Sequence, residues 1–256
     1  MIPAAVRRTA DALRAIGVSG ASLTDEQRRS FDEDGFFYAP ELLTAEQCDA
    51  IGAEFDRLSA EAKPDDLVVT PEEGVTRLSD PFNKSVVFDF CLELPPVLEA
   101  SAELLGEIKL HGANLRDPWR GRGAQRLHSD VVDRRPGDWR VVNALIFIDP
   151  LDEDNGPTRV IPGSHAWAAL DVPADPLAPY AGQVLVTGQR GTAAVINAHI
   201  WHGGTANVSG RRRRMLHLSY TRRDWPQQFD QRAHLTAALW ERLSPAQRFL
   251  LDVDNP

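Results

Sequence analysis

Five short runs rich in β-branched and large apolar residues, at 107–116, 141–148, 183–187, 192–197 and 214–221, alternate with clusters of Pro, Gly and Asp. Each run is too brief to bury a helical face and is bounded by residues that turn the chain. This restricts the second half to a sandwich or barrel of paired strands. The first hundred residues read differently. Thr24 with Gln27 three residues later forms a helix-opening pair, and Thr44 opens a second helix that aligns Ile51, Phe55 and Leu58 on one face. Residues 3–17 and 93–106 also have helical apolar spacing, and Gly35-Phe36-Phe37-Tyr38 reads as a turn and short strand. In the tail, 230–252, Leu235, Leu239, Leu243 and Phe249 recur at helical spacing. Residues 63–85 contain Pro64, Pro71, Gly74 and Pro81 and read as a long loop of the kind used as a lid. The expected organisation is one domain over 1–256, with a helical N-terminal part (1–106), a β core (107–221) and a helical tail (222–256).

A chain of 256 residues buries about 70–75% of its unfolded surface, so folding needs neither disulfide nor structural metal. Cys48 and Cys91, the two cysteines, fit no metal spacing and make no disulfide framework. The opening Met1-Ile-Pro-Ala-Ala-Val-Arg-Arg lacks the apolar segment of a secretory signal, and no apolar stretch reaches membrane-spanning length. A cytoplasmic protein without a membrane partner is expected. The formal charge of −9 argues against general nucleic-acid binding, because phosphate repels an acidic surface. Lysine is confined to Lys63, Lys84 and Lys109 while arginine is abundant, a bias of GC-rich coding. Oligomeric state is not legible.

The chemistry concentrates in Leu127-His128-Ser129-Asp130. Two residues apart on an extended backbone, side chains share a face, so an imidazole and a carboxylate can converge on one ion. A second imidazole must come from elsewhere, and His202, in Trp201-His202-Gly203-Gly204, is the candidate. Two His and one carboxylate on one face of an octahedral ion leave three positions open, the arrangement of non-haem iron(II) oxygenases. Beyond His202, the run Arg211-Arg212-Arg213-Arg214, with Arg213 eleven residues on, opens the strand Met215–Tyr220. A guanidinium there can grip a carboxylate through two parallel hydrogen bonds. Alternation lets part of the run face water while Arg213 points inward.

In this order the pieces resemble the phytanoyl-CoA dioxygenase family, which includes ectoine hydroxylase. Gln125-Arg-Leu-His128-Ser-Asp130 is similar to the family's proximal motif, and Asn155-Gly-Pro-Thr158-Arg159-Val-Ile-Pro162-Gly163-Ser164-His165 to its following turn. His202-Gly-Gly-x-x-Asn207-x-Ser209 with Arg213 resembles its distal motif, and Phe31-Asp-Glu-Asp-Gly35-Phe36-Phe37 its opening. The resemblance implies a mainly β protein, a double-stranded β-helix (jelly roll, cupin-like) with flanking N- and C-terminal α-helices. It also implies Fe(II), 2-oxoglutarate and O2, with His128, Asp130 and His202 on the metal and Arg213 on the distal carboxylate of the cosubstrate. Asn114 and Gln125 are further cosubstrate candidates. Gly204 stands where relatives carry a hydroxyl, and Thr205 is the residue that could replace it. On spacing alone His199 competes with His202; the Gly-Gly, Asn and Arg register favours His202. His217 lines the pocket or serves as a core histidine. His165 reads as a turn residue, and His111 has no assigned role.

For the substrate, Asp133, Arg134 and Trp139 follow the ligands and overhang the site, and Thr76, Arg77, Asp80 and Asn83 contribute to a lid. The expected reaction is oxidation, by hydroxylation, of a C–H bond in a small polar metabolite of specialised biosynthesis. The presence of Asp130 favours this over halogenation. The alternative of a different class is a zinc-type hydrolase or isomerase on the same triad, which leaves Arg213 without a purpose.

Overall fold

A computed structural model describes residues 6–61, 73–169 and 174–253. Helices α1 (Thr9–Ala15), α2 (Asp25–Glu33) and α3 (Ala45–Glu61) surround strand β1 (Phe36–Ala39) in the N-terminal part. Thr24 caps α2 as expected: its hydroxyl accepts from the Gln27 amide while the Gln27 side chain accepts from the Thr24 amide. Strand β2 (Val75–Ser79), helix α4 (Pro81–Lys84), a 3-10 turn (Val86–Glu93) and α5 (Pro95–Leu105) follow. The β core contains β3 (Ile108–Pro118), β4 (Val141–Phe147), β5 (Thr158–Val160), β6 (Val184–Val186), β7 (Ala193–Asn197), β8 (His202–Gly204) and β9 (Met215–Arg222). Helices α6 (Ala237–Arg242) and α7 (Pro245–Leu251) close the chain.

The strands form two antiparallel sheets, a large one in the order β1-β7-β4-β9-β3-β2 and a small one in the order β6-β5-β8. Together they make the jelly-roll core. Alternation divides the large sheet cleanly. Val142, Ala144, Ile146, Val195, Leu216, Leu218 and Tyr220 face outward into the core shared with the helices. Leu145, Phe147, Ala194, Ile196 and Met215 face inward onto Val160 and Val186 of the small sheet. The inner face changes character across the sheet. One register row reads Ala194, Leu145, His217, Asn114, Ser79, and the next reads Phe147, Met215, Arg116, Arg77. The interior is therefore apolar under β7 and β4 and polar under β9, β3 and β2, and the functional cavity opens at that change.

One expectation needs correction. The loop expected over 63–85 includes strand β2, which pairs with β3 from Val75 opposite Pro118 to Ser79 opposite Asn114, and then α4 with Pro81 in its first turn. Val75 and Thr76 favour a strand, but the flanking Pro and Gly hid that signal, and pairing to β3 completes it; residues 63–72 lie outside the described residues. The helical tail is built of two short helices: Ser244 caps the second, its hydroxyl accepting from the Gln247 amide, with Pro245 at the first helical position. Among the described residues no helix is long and apolar enough to cross a membrane.

Candidate metal centre

His128 and His202 lie in different parts of the chain, yet their backbones pair directly. The His128 amide donates to the His202 carbonyl at 2.8 Å, and the His202 amide returns the bond at 2.9 Å. This two-residue bridge sets the imidazoles side by side, ring centroids 4.5 Å apart. Asp130 follows, with its amide on the Ala198 carbonyl at 3.2 Å. Asp130 Oδ1 is 3.4 Å from His128 Nε2, and Oδ2 is 3.5 Å from His202 Nε2. One ligand atom from each of the three lies within 4.8 Å of the others. Donors about 2.1 Å from an ion and cis to each other stand about 3 Å apart, so a small inward closure would seat a metal.

The tautomers suit that role. His128 Nδ1 lies 2.9 Å from the Arg126 carbonyl and His202 Nδ1 3.0 Å from the Ile200 carbonyl. With Nδ1–H donating to those oxygens, each Nε2 keeps a lone pair toward the common point. Burial raises the Asp130 carboxyl, but the adjacent imidazoles outweigh burial and hold it well below the usual carboxylate range. Burial lowers His202, and the Asp130 charge more than offsets this, leaving its proton affinity above that of free histidine. The site is an acid–base triad ready for a divalent cation.

The triad sits at the edge of a cavity of ≈ 550 Å³, counted to its open mouth, with Arg213 and Thr158 among the lining residues. Asn207 aims the arginine. Its Nδ2 donates to the Pro118 and Arg211 carbonyls, while its Oδ1 accepts from the Gly210 amide, closing the turn before the arginine run. The Arg213 amide donates to Asp117 Oδ1 at 3.0 Å, and its guanidinium lies 3.5 Å from Thr158 Oγ1. The other three arginines turn outward. Arg211 pairs with Asp152 and Asp154, Arg212 with Asp56 and Asp117, and Arg214 with Asp149 and Asp56. Of the four, Arg213 is the one in the cavity lining.

The remaining sequence candidates divide. Gln125 lines the cavity, and its Oε1 accepts from the Gly204 amide at 3.0 Å. His217 lines it as well; burial, followed by Arg116, Arg213 and Arg77, pushes its pKa well down, so it is neutral. Asn114 stands across from His217 on the same inner row, with a buried Oδ1 that lacks a hydrogen-bond donor among the described residues. Thr205 does not replace the hydroxyl missing at Gly204: its Oγ1 donates to the Pro157 carbonyl at 2.7 Å. A hydroxyl does reach the cavity, from Thr158. Arg134 is a brace, donating to the carbonyls of His199, Ser164 and Trp167 while lying over the Trp201 ring. Trp139 packs between His165 and His199, and Asp133 is an exposed loop residue with φ 53°. Arg77 sits on β2 opposite Arg116. Asn83 is structural: its amide donates to Asp80 and its carbonyl accepts from Thr236, joining α4 to α6. His199 is wholly buried beside Trp139 and faces away from the triad's cavity. His165 Nε2 meets the Asp32 carbonyl, and the His111 Nδ1 accepts from the Gln228 amide. Sequence reasoning missed Arg116, Thr158 and Asn143, all in the lining. Arg116 was within reach, since it alternates with Asn114 on one strand.

A jelly roll with two imidazoles and a carboxylate facing one point, and a buried guanidinium beyond, defines a mononuclear non-haem metal oxygenase. The chain belongs to the phytanoyl-CoA dioxygenase family, whose model matches residues 31–215. It is accordingly an enzyme that uses Fe(II), 2-oxoglutarate and O2. It is 25% identical over 230 residues to ectoine dioxygenase of Bordetella bronchiseptica, covering 73% of this chain and 72% of the relative. It is 26% identical over 239 residues to L-proline trans-4-hydroxylase of Streptomyces griseoviridis, covering 79% and 87% respectively. Among solved structures, HygX from Streptomyces hygroscopicus, solved with nickel and 2-oxoglutarate, superposes with a TM-score of 0.69 at 18% identity, covering 85% of this chain and 94% of that one. The zinc-hydrolase alternative finds no support in these comparisons.

Proposed function

We propose that the enzyme hydroxylates a C–H bond of a small polar metabolite in specialised biosynthesis, with His128, Asp130 and His202 holding the iron and Arg213 gripping the far carboxylate of 2-oxoglutarate. The observation that carries this reading is the placement of three ligand atoms within 4.8 Å of one another on a cavity that also receives Arg213. The bound iron supplies the redox chemistry by which O2 and 2-oxoglutarate become succinate, CO2 and the oxygen of the new hydroxyl. The chain supplies position and shelter. Arg213, 5% exposed, offers a fixed fork to a dianionic cosubstrate, and Thr158 Oγ1 beside it adds a neutral hydrogen bond. Neutral His217, also in the lining, offers the cosubstrate an uncharged donor or acceptor. Leu145 and Val75 add apolar surface to the lining. The polar substrate class is supported by relatives that bear the names of ectoine and L-proline, and by HygX solved with hygromycin B bound.

Succinate release with Fe(II), 2-oxoglutarate and a panel of sugars, aminoglycosides and amino-acid derivatives tests the reading. Turnover should depend on one of these, and turnover with fatty acyl-CoA alone would refute the substrate class. His128→Ala should abolish iron binding and turnover together. Arg213→Ala should raise the 2-oxoglutarate KM by about 10- to 100-fold, the worth of a buried charged hydrogen bond. An unchanged KM would mean that another cation holds the cosubstrate.

A further inference from the structure

We propose that Asn143 is the positioning residue of the metal-binding carboxylate. It holds Asp130 so that the carboxylate faces the ion with one oxygen and leaves the neighbouring coordination positions to cosubstrate and O2. The inference rests on the reading of His128, Asp130 and His202 as the ligands.

Asp130 belongs to no strand, and its side chain lines the cavity. Its backbone is tied to Ala198, but that bond leaves the carboxylate free to rotate about its own side-chain torsions. Rotation matters chemically. A carboxylate has about four acceptor positions on two oxygens, and it can offer an ion one oxygen or both. Binding through both would occupy a position that the reaction needs open.

Asn143 removes that freedom. It sits in β4, a central strand, in register with Ile196 on β7 and Ser219 on β9, and is 7% exposed. Its Nδ2 donates to Asp130 Oδ2 at 2.7 Å, short for an amide donor and typical of a bond to an ionised acceptor. The carboxylate's other close neighbours are His128 Nε2 and His202 Nε2, the atoms that would turn to the ion. Once they do, Asn143 is the donor that remains on Asp130 among the described residues. The carboxylate is thus anchored to an interior strand of the large sheet by one neutral amide. The same amide leaves the ligand its full charge, which a cationic anchor would partly cancel.

Anaerobic Co(II) titration, read by its visible bands and by calorimetry, tests this without turnover. Wild type, His128→Ala, Asn143→Leu, Asn143→Ala and Asn143→Ser are compared, with melting of the metal-free proteins as the control for folding. Asn143→Leu and Asn143→Ala should weaken Co(II) binding by about 10- to 100-fold, the usual effect of losing an outer-shell partner. Their band pattern should shift toward higher coordination, while Asn143→Ser, which keeps a donor, recovers part of the affinity. If Asn143→Leu does not fold, the Ala and Ser variants decide, since they remove nearly equal volume and differ in the donor. Equal Co(II) affinity in those two overturns the proposal. If His128→Ala binds Co(II) as the wild type does, the ligand set itself is wrong. If His128→Ala loses binding while the folded Asn143 variants retain wild-type affinity and spectrum, the role of Asn143 alone is refuted.

Discussion

His199 and His202 stand three residues apart and meet opposite fates. His202 turns its Nε2 to Asp130, while His199 is fully buried and its Nε2 accepts the Arg140 amide at 3.2 Å. Burial, then the nearby Arg134 and Arg140 charges, pushes the His199 pKa down to about 4. In the unfolded chain it titrates near 6.5. Between those values the unfolded state binds a proton that the folded state refuses. The stabilisation is therefore complete above about pH 6.5 and is lost as pH falls toward 4, a change of about 3 kcal/mol. Urea unfolding of His199→Gln at pH 7.5 and 4.5 should show a smaller difference between the two pH values than wild type does; an equal difference would show that His199 is not the group responsible. Spacing could not separate these histidines, whereas the glycines after His202 could, because they mark where backbone must approach backbone. Asn143 and Thr158 had no such marker. An asparagine within an apolar strand and a threonine opening a three-residue strand take their meaning only from what the fold sets opposite them.

Strand β8 shows what the glycines do. A Cβ on Gly203 would lie 2.8 Å from the Arg126 carbonyl oxygen, and one on Gly204 would lie 2.5 Å from that of Gly123. Both neighbours are backbone in the segment that leads to His128, so the stretches that carry His128 and His202 can touch only if these side chains are absent. Gly204→Ala should cost about 1–3 kcal/mol through overpacking and weaken metal binding as the bridge opens. Thermal melting and Co(II) titration would show both losses, and an unchanged melting temperature would mean that the 123–128 segment yields freely. The same strand shows why part of the sheet was illegible. His-Gly-Gly has almost no strand propensity, and Thr158–Val160 is three residues long, so both exist through pairing with each other. The longer strands were readable from their own apolar residues, which lie on both faces of β4 and β7 and mainly on the outer face of β3 and β9. In the tail the apolar spacing was real, but Ser244-Pro245 divides it, and a capping serine and proline outrank periodicity.

At the scale of the molecule, helices and sheet are fastened at their polar margin as well as through the core. Asp56 of α3 receives Arg212 and Arg214, so the turn that delivers Arg213 is braced from the helical layer. The two cysteines lie deep in that layer, free and 1% and 0% exposed, and burial raises both thiols. A thiol reagent such as dithionitrobenzoate should label neither in the native protein. Labelling should rise along the same urea curve as loss of tertiary signal, and labelling well below the transition would reveal local opening of the helical layer.

The backbone clasp between His128 and His202 also has a bearing on when the enzyme can acquire its iron. On the proposed ligand set, a growing polypeptide that has exposed His128 and Asp130 lacks its second imidazole until His202, 74 residues after His128, has been made. Loading thus belongs after translation and closure. By the same logic, an emptied enzyme whose clasp survives should refill without being unfolded first.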